Sequence, residues 1–102
     1  MNWELKAEMV KLGNQVSSPE TKKQFHEFVL KNVKDFDGQA WDMFSLLTQI
    51  LPSEMKEDIE YWEKIYEHIK TVDCNDPAFG LASGFRIAMI QTFCEEEFKL
   101  NS

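Results

Sequence analysis

Arg86 is the only arginine in the sequence; the other ten basic side chains are lysines. A guanidinium presents a planar fork of donors that fits a carboxylate or a phosphate through two parallel hydrogen bonds, which a lysine ammonium does not reproduce. Two readings of this residue follow. In the first, Arg86 pairs with an acid of a neighbouring helix, such as Glu54, Asp58 or Glu63, and lays its stem on aromatic rings. In the second, the protein is a helical homo-oligomer in which Arg86 holds a small anionic ligand such as a nucleotide, beside a groove left by Gly80 and Gly84. The other charged candidates are acidic. Glu57, Glu60, Glu63 and Glu67, with Asp58, recur at helical spacing and make one acidic face, and Glu95-Glu96-Glu97 form a second patch. Such a face is either solvated or docks on a basic surface of another macromolecule, where charge steering raises association rates.

Residue types that carry catalysis or hold metals lack the required spacing. His26 and His68 fall in different segments and neither belongs to a Glu-x-x-His pair, and Cys74 and Cys94 show no Cys-x-x-Cys spacing. Neither a phosphate-cradling glycine loop nor a nucleophile elbow is present. Carboxylates on an exposed helix face lack the pocket that drives two pKa values apart. The sequence therefore assigns no catalytic residue, metal ligand or cofactor, and a non-enzymatic protein is expected.

Charge is unevenly placed. Residues 1–34 carry +2, residues 35–97 carry −10, and Lys99 brings the total to −7, with an isoelectric point near 4.7. This is the wrong sign for a phosphate backbone, so direct nucleic-acid binding is disfavoured. The expected partner is another protein.

These side chains must be positioned by helices. Leu5, Met9, Leu12 and Val16 recur at 4-3-4 spacing in a first helix over residues 3–16. Ser18, Pro19 and Glu20 give a cap, a first-turn proline and an acid at the start of a second, whose inner face is Phe25, Phe28, Val29 and Val33. Asp37 caps a third helix from about Gln39 to Leu51, and Ser53 a fourth with a seam of Met55, Ile59, Trp62, Tyr66 and Ile69. Asp76 and Pro77 open the last helix, apolar nearly all round, with a core face of Leu81, Phe85 and Met89. A helix of that kind is expected to be buried. The fold class is all-α: a compact bundle of four to five helices around a buried C-terminal helix, with residues 1–102 forming a single helical domain. Gly80, Gly84 and Ala88 line one edge of that helix, an edge for close packing of a helix from the same chain or from a second copy in a homodimer.

Pro77 to Cys94 is long enough to suggest a membrane span, but it carries Arg86 and Gln91 and has acidic flanks, which favours a buried helix and no membrane association. With helical rise between them, Cys74 and Cys94 lie too far apart to pair. With two free thiols, and a start without a secretory signal, a cytoplasmic protein is expected.

The segment Ala78-Phe79-Gly80-Leu81-Ala82-Ser83-Gly84-Phe85-Arg86-Ile87-Ala88-Met89, following an acidic amphipathic helix, resembles the end of small all-helical proteins of Gram-positive bacteria and their phages. The likeness spans residues 46–94. Those proteins have no established function, so it implies an accessory protein of a mobile element and transfers no functional residue. The expected function is that of a small acidic interaction or regulatory protein, an accessory or inhibitor, which binds another macromolecule through an acidic helical surface.

Overall fold

Ser17-Ser18-Pro19 shows how directly local chemistry sets the elements. The Ser18 hydroxyl accepts the Thr21 N–H at 3.2 Å while the Thr21 hydroxyl accepts the Ser18 N–H at 2.9 Å, a reciprocal capping box that fixes the start of the second helix. The computed structural model describes residues 3–48 and 57–99. Within them the helices are α1 (Trp3–Asn14), α2 (Pro19–Asn32), α3 (Gly38–Thr48), α4 (Ile59–Ile69) and α5 (Leu81–Phe98), with a single 3-10 turn, Val33–Asp35, after α2. All regular structure among the described residues is helical, so the fold is an all-α bundle. The expected Ser53 cap, Met55 and the end of the third helix lie outside the described residues.

Asp37 begins α3 as its sequence suggests, its Oδ1 accepting the Ala40 N–H at 2.9 Å. Its other oxygen meets the ammonium of Lys6, 2.7 Å away, and the same ammonium donates to Gln39 Oε1 at 2.9 Å. Lys6 is buried between Leu5 and Met9 on the inner face of α1. A buried cation needs such partners, so this pair ties α1 to the start of α3.

The helices close a ring. α1 packs on α2, α2 on α4, α4 on α5, α5 on α3 and α3 back on α1. Phe25, Val29, Phe36, Trp41, Phe44, Trp62, Ile65, Ile69, Ile87 and Ile90 fill its centre. Trp41 meets Phe36 and Phe44 edge-on, with centroids 5.2 and 5.9 Å apart. The α4 seam is as expected at Trp62, Tyr66 and Ile69, but Ile59 at its start is 43% exposed.

The ring corrects the expectation for α5. The molecule is only 19 Å thick, about two helix diameters, so each helix turns one side to water. α5 has two helical neighbours, like the others, and is not surrounded. Its buried residues are Ser83, Gly84, Ile87, Ile90 and Cys94; Leu81, Phe85 and Met89, the expected core face, are 94, 67 and 43% exposed. With apolar residues on both sides, amphipathicity could not orient this helix; packing of the small residues Ser83 and Gly84 did. Asp76 and Pro77 do not begin it either. The Asp76 carboxylate accepts the Ala78 N–H at 2.9 Å in a turn, and α5 starts four residues beyond Pro77.

Candidate functional site

The N-terminal half of α5 approaches two partners through small residues. At Gly84, a Cβ would stand 2.1 Å from the Cys74 carbonyl oxygen, so the loop after α4 lies directly on the helix backbone there. Gly80 does not belong to the helix interior. It is the residue before α5, at φ +79°, where glycine suffers no side-chain clash, and nothing faces it within 4 Å. The expected Gly80/Gly84/Ala88 edge therefore divides. Gly84 receives a loop carbonyl of its own chain, not a helix; Gly80 makes a turn; and Ala88 is half-buried.

On the α3 side, Ser83 donates its hydroxyl to Asp42 Oδ2 at 3.1 Å, and Arg86 Nη1 lies 2.8 Å from Asp42 Oδ1. The second contact is an ion pair by distance, lying off the N–H axis of a hydrogen bond. Arg86 thus has a carboxylate partner, but on α3 rather than among the acids expected, since its side chain leaves α5 on the flank that Ser83 presents to α3. Both partners are partly exposed, 43% for Arg86 and 30% for Asp42, so the pair adds little stability, on the order of 1 kcal/mol or less.

The expected acidic face is present as a surface. Glu60, Glu63 and Glu67 are exposed on α4, opposite Trp62, Ile65 and Ile69, and Glu57 is exposed just before it. Lys22 reaches across from α2 to Asp58 at 2.5 Å and to Glu57 at 4.0 Å, and Lys70 stands 3.1 Å from Glu67. Of the C-terminal acids, Glu95 is engaged inside the molecule, accepting the Tyr66 hydroxyl at 2.9 Å and so fastening α4 to α5. Glu96 is exposed.

Between α2 and α4 lies a hollow of about 570 Å³ whose charged lining is mixed: Lys22, Lys23 and Lys64 with Glu27, Asp58 and Glu60. His26 stacks on Tyr61 in its wall, with centroids 3.7 Å apart and planes 5° from parallel. The Tyr61 hydroxyl is buried and, among the described residues, has no hydrogen-bond partner. Burial, and secondarily the charge of Asp58, push its pKa well above the ordinary phenol value. Burial also lowers the pKa of His26 against the opposing pull of Asp58, and lowers that of His68, so both imidazoles favour the neutral form. Cys94, fully buried, has its thiol pushed up to about 12 by burial, with Glu95 adding to the effect. Cys74 and Cys94 are both free thiols.

Sequence reasoning missed two features. The Lys6–Asp37 contact joins residues thirty-one apart, and a lysine within an apolar spacing carries no local sign of its partner. The exposed apolar row of α5 is visible in the sequence as residues, but spacing alone turns it toward the core. Among the described residues, no helix is long and apolar enough to cross a membrane, and no group of three His, Cys, Asp or Glu side chains is placed to hold a metal ion. Compared with known proteins, the chain matches no family model, no curated protein and no solved structure.

Proposed function

We propose that this is a small acidic, non-enzymatic protein that regulates another macromolecule by docking on it, as an accessory or inhibitor protein of a phage or other mobile element. The observation that carries the reading is the row Glu57, Glu60, Glu63 and Glu67, all exposed on one side of the α4 region in a chain of net charge −7. Among the described residues, Lys22 pairs with Glu57 and Lys70 with Glu67, yet both acids remain more than 70% exposed. An acidic surface of this kind favours a basic protein partner through long-range steering and disfavours nucleic acid. The mobile-element assignment rests on the resemblance of residues 46–94.

An anion site at Arg86 has less support, because Asp42 already meets the guanidinium charge. The test is a pull-down from host extract with the purified protein at low and at high salt, set beside a Glu60→Lys/Glu63→Lys variant. Salt-sensitive capture that the charge reversal abolishes is expected. Absence of any salt-sensitive partner would refute the proposal.

A further inference from the structure

The outer face of α5 carries large apolar side chains that the core does not cover. Leu81, Phe85 and Met89 stand at i, i+4 and i+8 along it, 94, 67 and 43% exposed. Half-buried Ala88 and Phe93 flank them. Shallow hollows of about 540, 280 and 320 Å³ run along this face; the first and second share Phe85 and Ala88, and the second and third share Met89 and Phe93. A contiguous apolar face of this kind on a small soluble protein marks an interaction surface more often than scattered single residues do.

Charge decides what covers it. Among the described residues, the charged side chains lining the three hollows are Asp76 near Leu81, Glu96 beyond Met89, and Arg86. Arg86 is matched by Asp42, so the row ends in a net negative charge at both extremities. A second copy of this chain is the wrong occupant. Antiparallel pairing of two α5 rows sets Glu96 of one against Asp76 of the other, parallel pairing sets Glu96 against Glu96, and either brings together two chains of charge −7. Like charges opposed across an interface work against association.

From these observations, and resting on the interaction-protein reading above, we infer that the outer face of α5 is a docking site for a cationic amphipathic helix of a partner protein. The row from Leu81 to Glu96 is about 22 Å long, about four helical turns. Side chains at four-residue spacing form a ridge whose grooves accept the ridge of another helix, with apolar anchors at similar spacing on the incoming segment. Lysines or arginines flanking those anchors then meet Asp76 at one end and Glu96 at the other.

The probe is a fluorescently labelled Leu/Lys peptide of about four helical turns, leucines on one face and lysines on the other, titrated with the intact protein and followed by anisotropy. A Leu/Glu peptide with the same leucine pattern is the control. The inference predicts saturable binding of the Leu/Lys peptide alone, weakened about tenfold or more by Phe85→Ser, as for an anchor well inside an interface, and weakened also by Leu81→Ser at the end of the row. It also predicts a shallower salt dependence in Asp76→Asn/Glu96→Gln. Circular dichroism melts verify that the exposed-site variants remain folded. Equal binding of the Leu/Glu peptide, or no binding of either, overturns the inference. So does a dimer in sedimentation that Phe85→Ser dissociates, because the occupant is then a second copy. Binding lost with Glu60→Lys/Glu63→Lys but unchanged by Phe85→Ser also overturns it, while leaving the broader acidic-surface proposal standing. That proposal fails separately, in the extract pull-down.

Discussion

Gly84→Ala sets two opposing effects against each other at one atom. Alanine is better than glycine inside a helix by about 1 kcal/mol, so propensity alone predicts a more stable protein. The added Cβ, however, falls 2.1 Å from the Cys74 carbonyl oxygen and 3.3 Å from its carbonyl carbon. The oxygen must retreat by more than 1 Å to reach ordinary contact. It is backbone, so no side-chain rotation relieves the clash, and its loop is held by the Val72 N–H on the Ile69 carbonyl at 2.9 Å and the Asp76 N–H on the Asp73 carbonyl at 3.0 Å. Overpacking costs about 1–3 kcal/mol, and an anchored carbonyl belongs at the upper end. The net expectation is a loss of about 2 kcal/mol, or about 10 °C in melting temperature for a domain of this size. Gly84→Leu should cost several kcal/mol. Thermal melts and urea titrations of wild type and variants measure the difference. An unchanged or raised melting temperature in Gly84→Ala would refute the reasoning, since propensity would then act unopposed and the loop would not lie on the helix. Gly80→Ala offers a contrast. It has open space around it but a φ of +79°, and should lose about 1–3 kcal/mol from backbone strain alone.

Other substitutions and titrations test separate parts of the fold. Tyr61→Phe removes a buried hydroxyl without a partner and should raise stability by about 1 kcal/mol; a comparable loss in urea unfolding would mean that the hydroxyl is hydrogen-bonded. At Asp37, burial acts to raise the carboxyl pKa, but hydrogen bonds from Lys6 and the Ala40 N–H and the Lys6 charge outweigh it and hold it below the ordinary value. The stability that this carboxylate contributes is present above its unfolded pKa, about 3.9, and is lost as pH falls through the lower folded value. Melting temperature should therefore fall less steeply below about pH 4 in Asp37→Asn than in wild type, and identical acid limbs would contradict the linkage. Cys94, buried and with a thiol pKa near 12, should resist iodoacetamide at pH 8 in the folded protein and react once the protein is unfolded in guanidinium. Mass spectrometry of the peptides reads this directly, and rapid labelling of folded Cys94 would show that its side of α5 is not packed into the core.

Where local chemistry determines structure, the elements were legible. Ser18-Pro19, the Asp37 cap and the inner faces of α2 and α4 follow from capping geometry and from apolar spacing on helices with one polar side. The all-α class follows from the same spacing. α5 was misoriented because both its sides are apolar, so periodicity offers two equivalent faces and the choice falls to contacts distant in sequence. Those contacts are the Cys74 carbonyl on Gly84 and Asp42 on Ser83 and Arg86. Asp76-Pro77 has the composition of a helix start but is used for a turn, a choice that depends on where the loop must meet Gly84. Of the candidate site, the acids of the α4 row could be read as exposed, since they alternate with the buried aromatic seam. The partner of Arg86 could not, because Asp42 lies forty-four residues away on a helix whose placement beside α5 is set by the ring.

α5 has one face in the core and one in water, and two methionines of the protein report this directly. Met9 is fully buried in the core, whereas Met89, in the outer row of α5, is 43% exposed. Oxidation of the folded protein by dilute peroxide, followed residue by residue by mass spectrometry, should modify Met89 well before Met9, and the Leu/Lys peptide should slow the reaction at Met89. Protection of Met89 equal to that of Met9 in the isolated protein would contradict the account, because the row would already be covered.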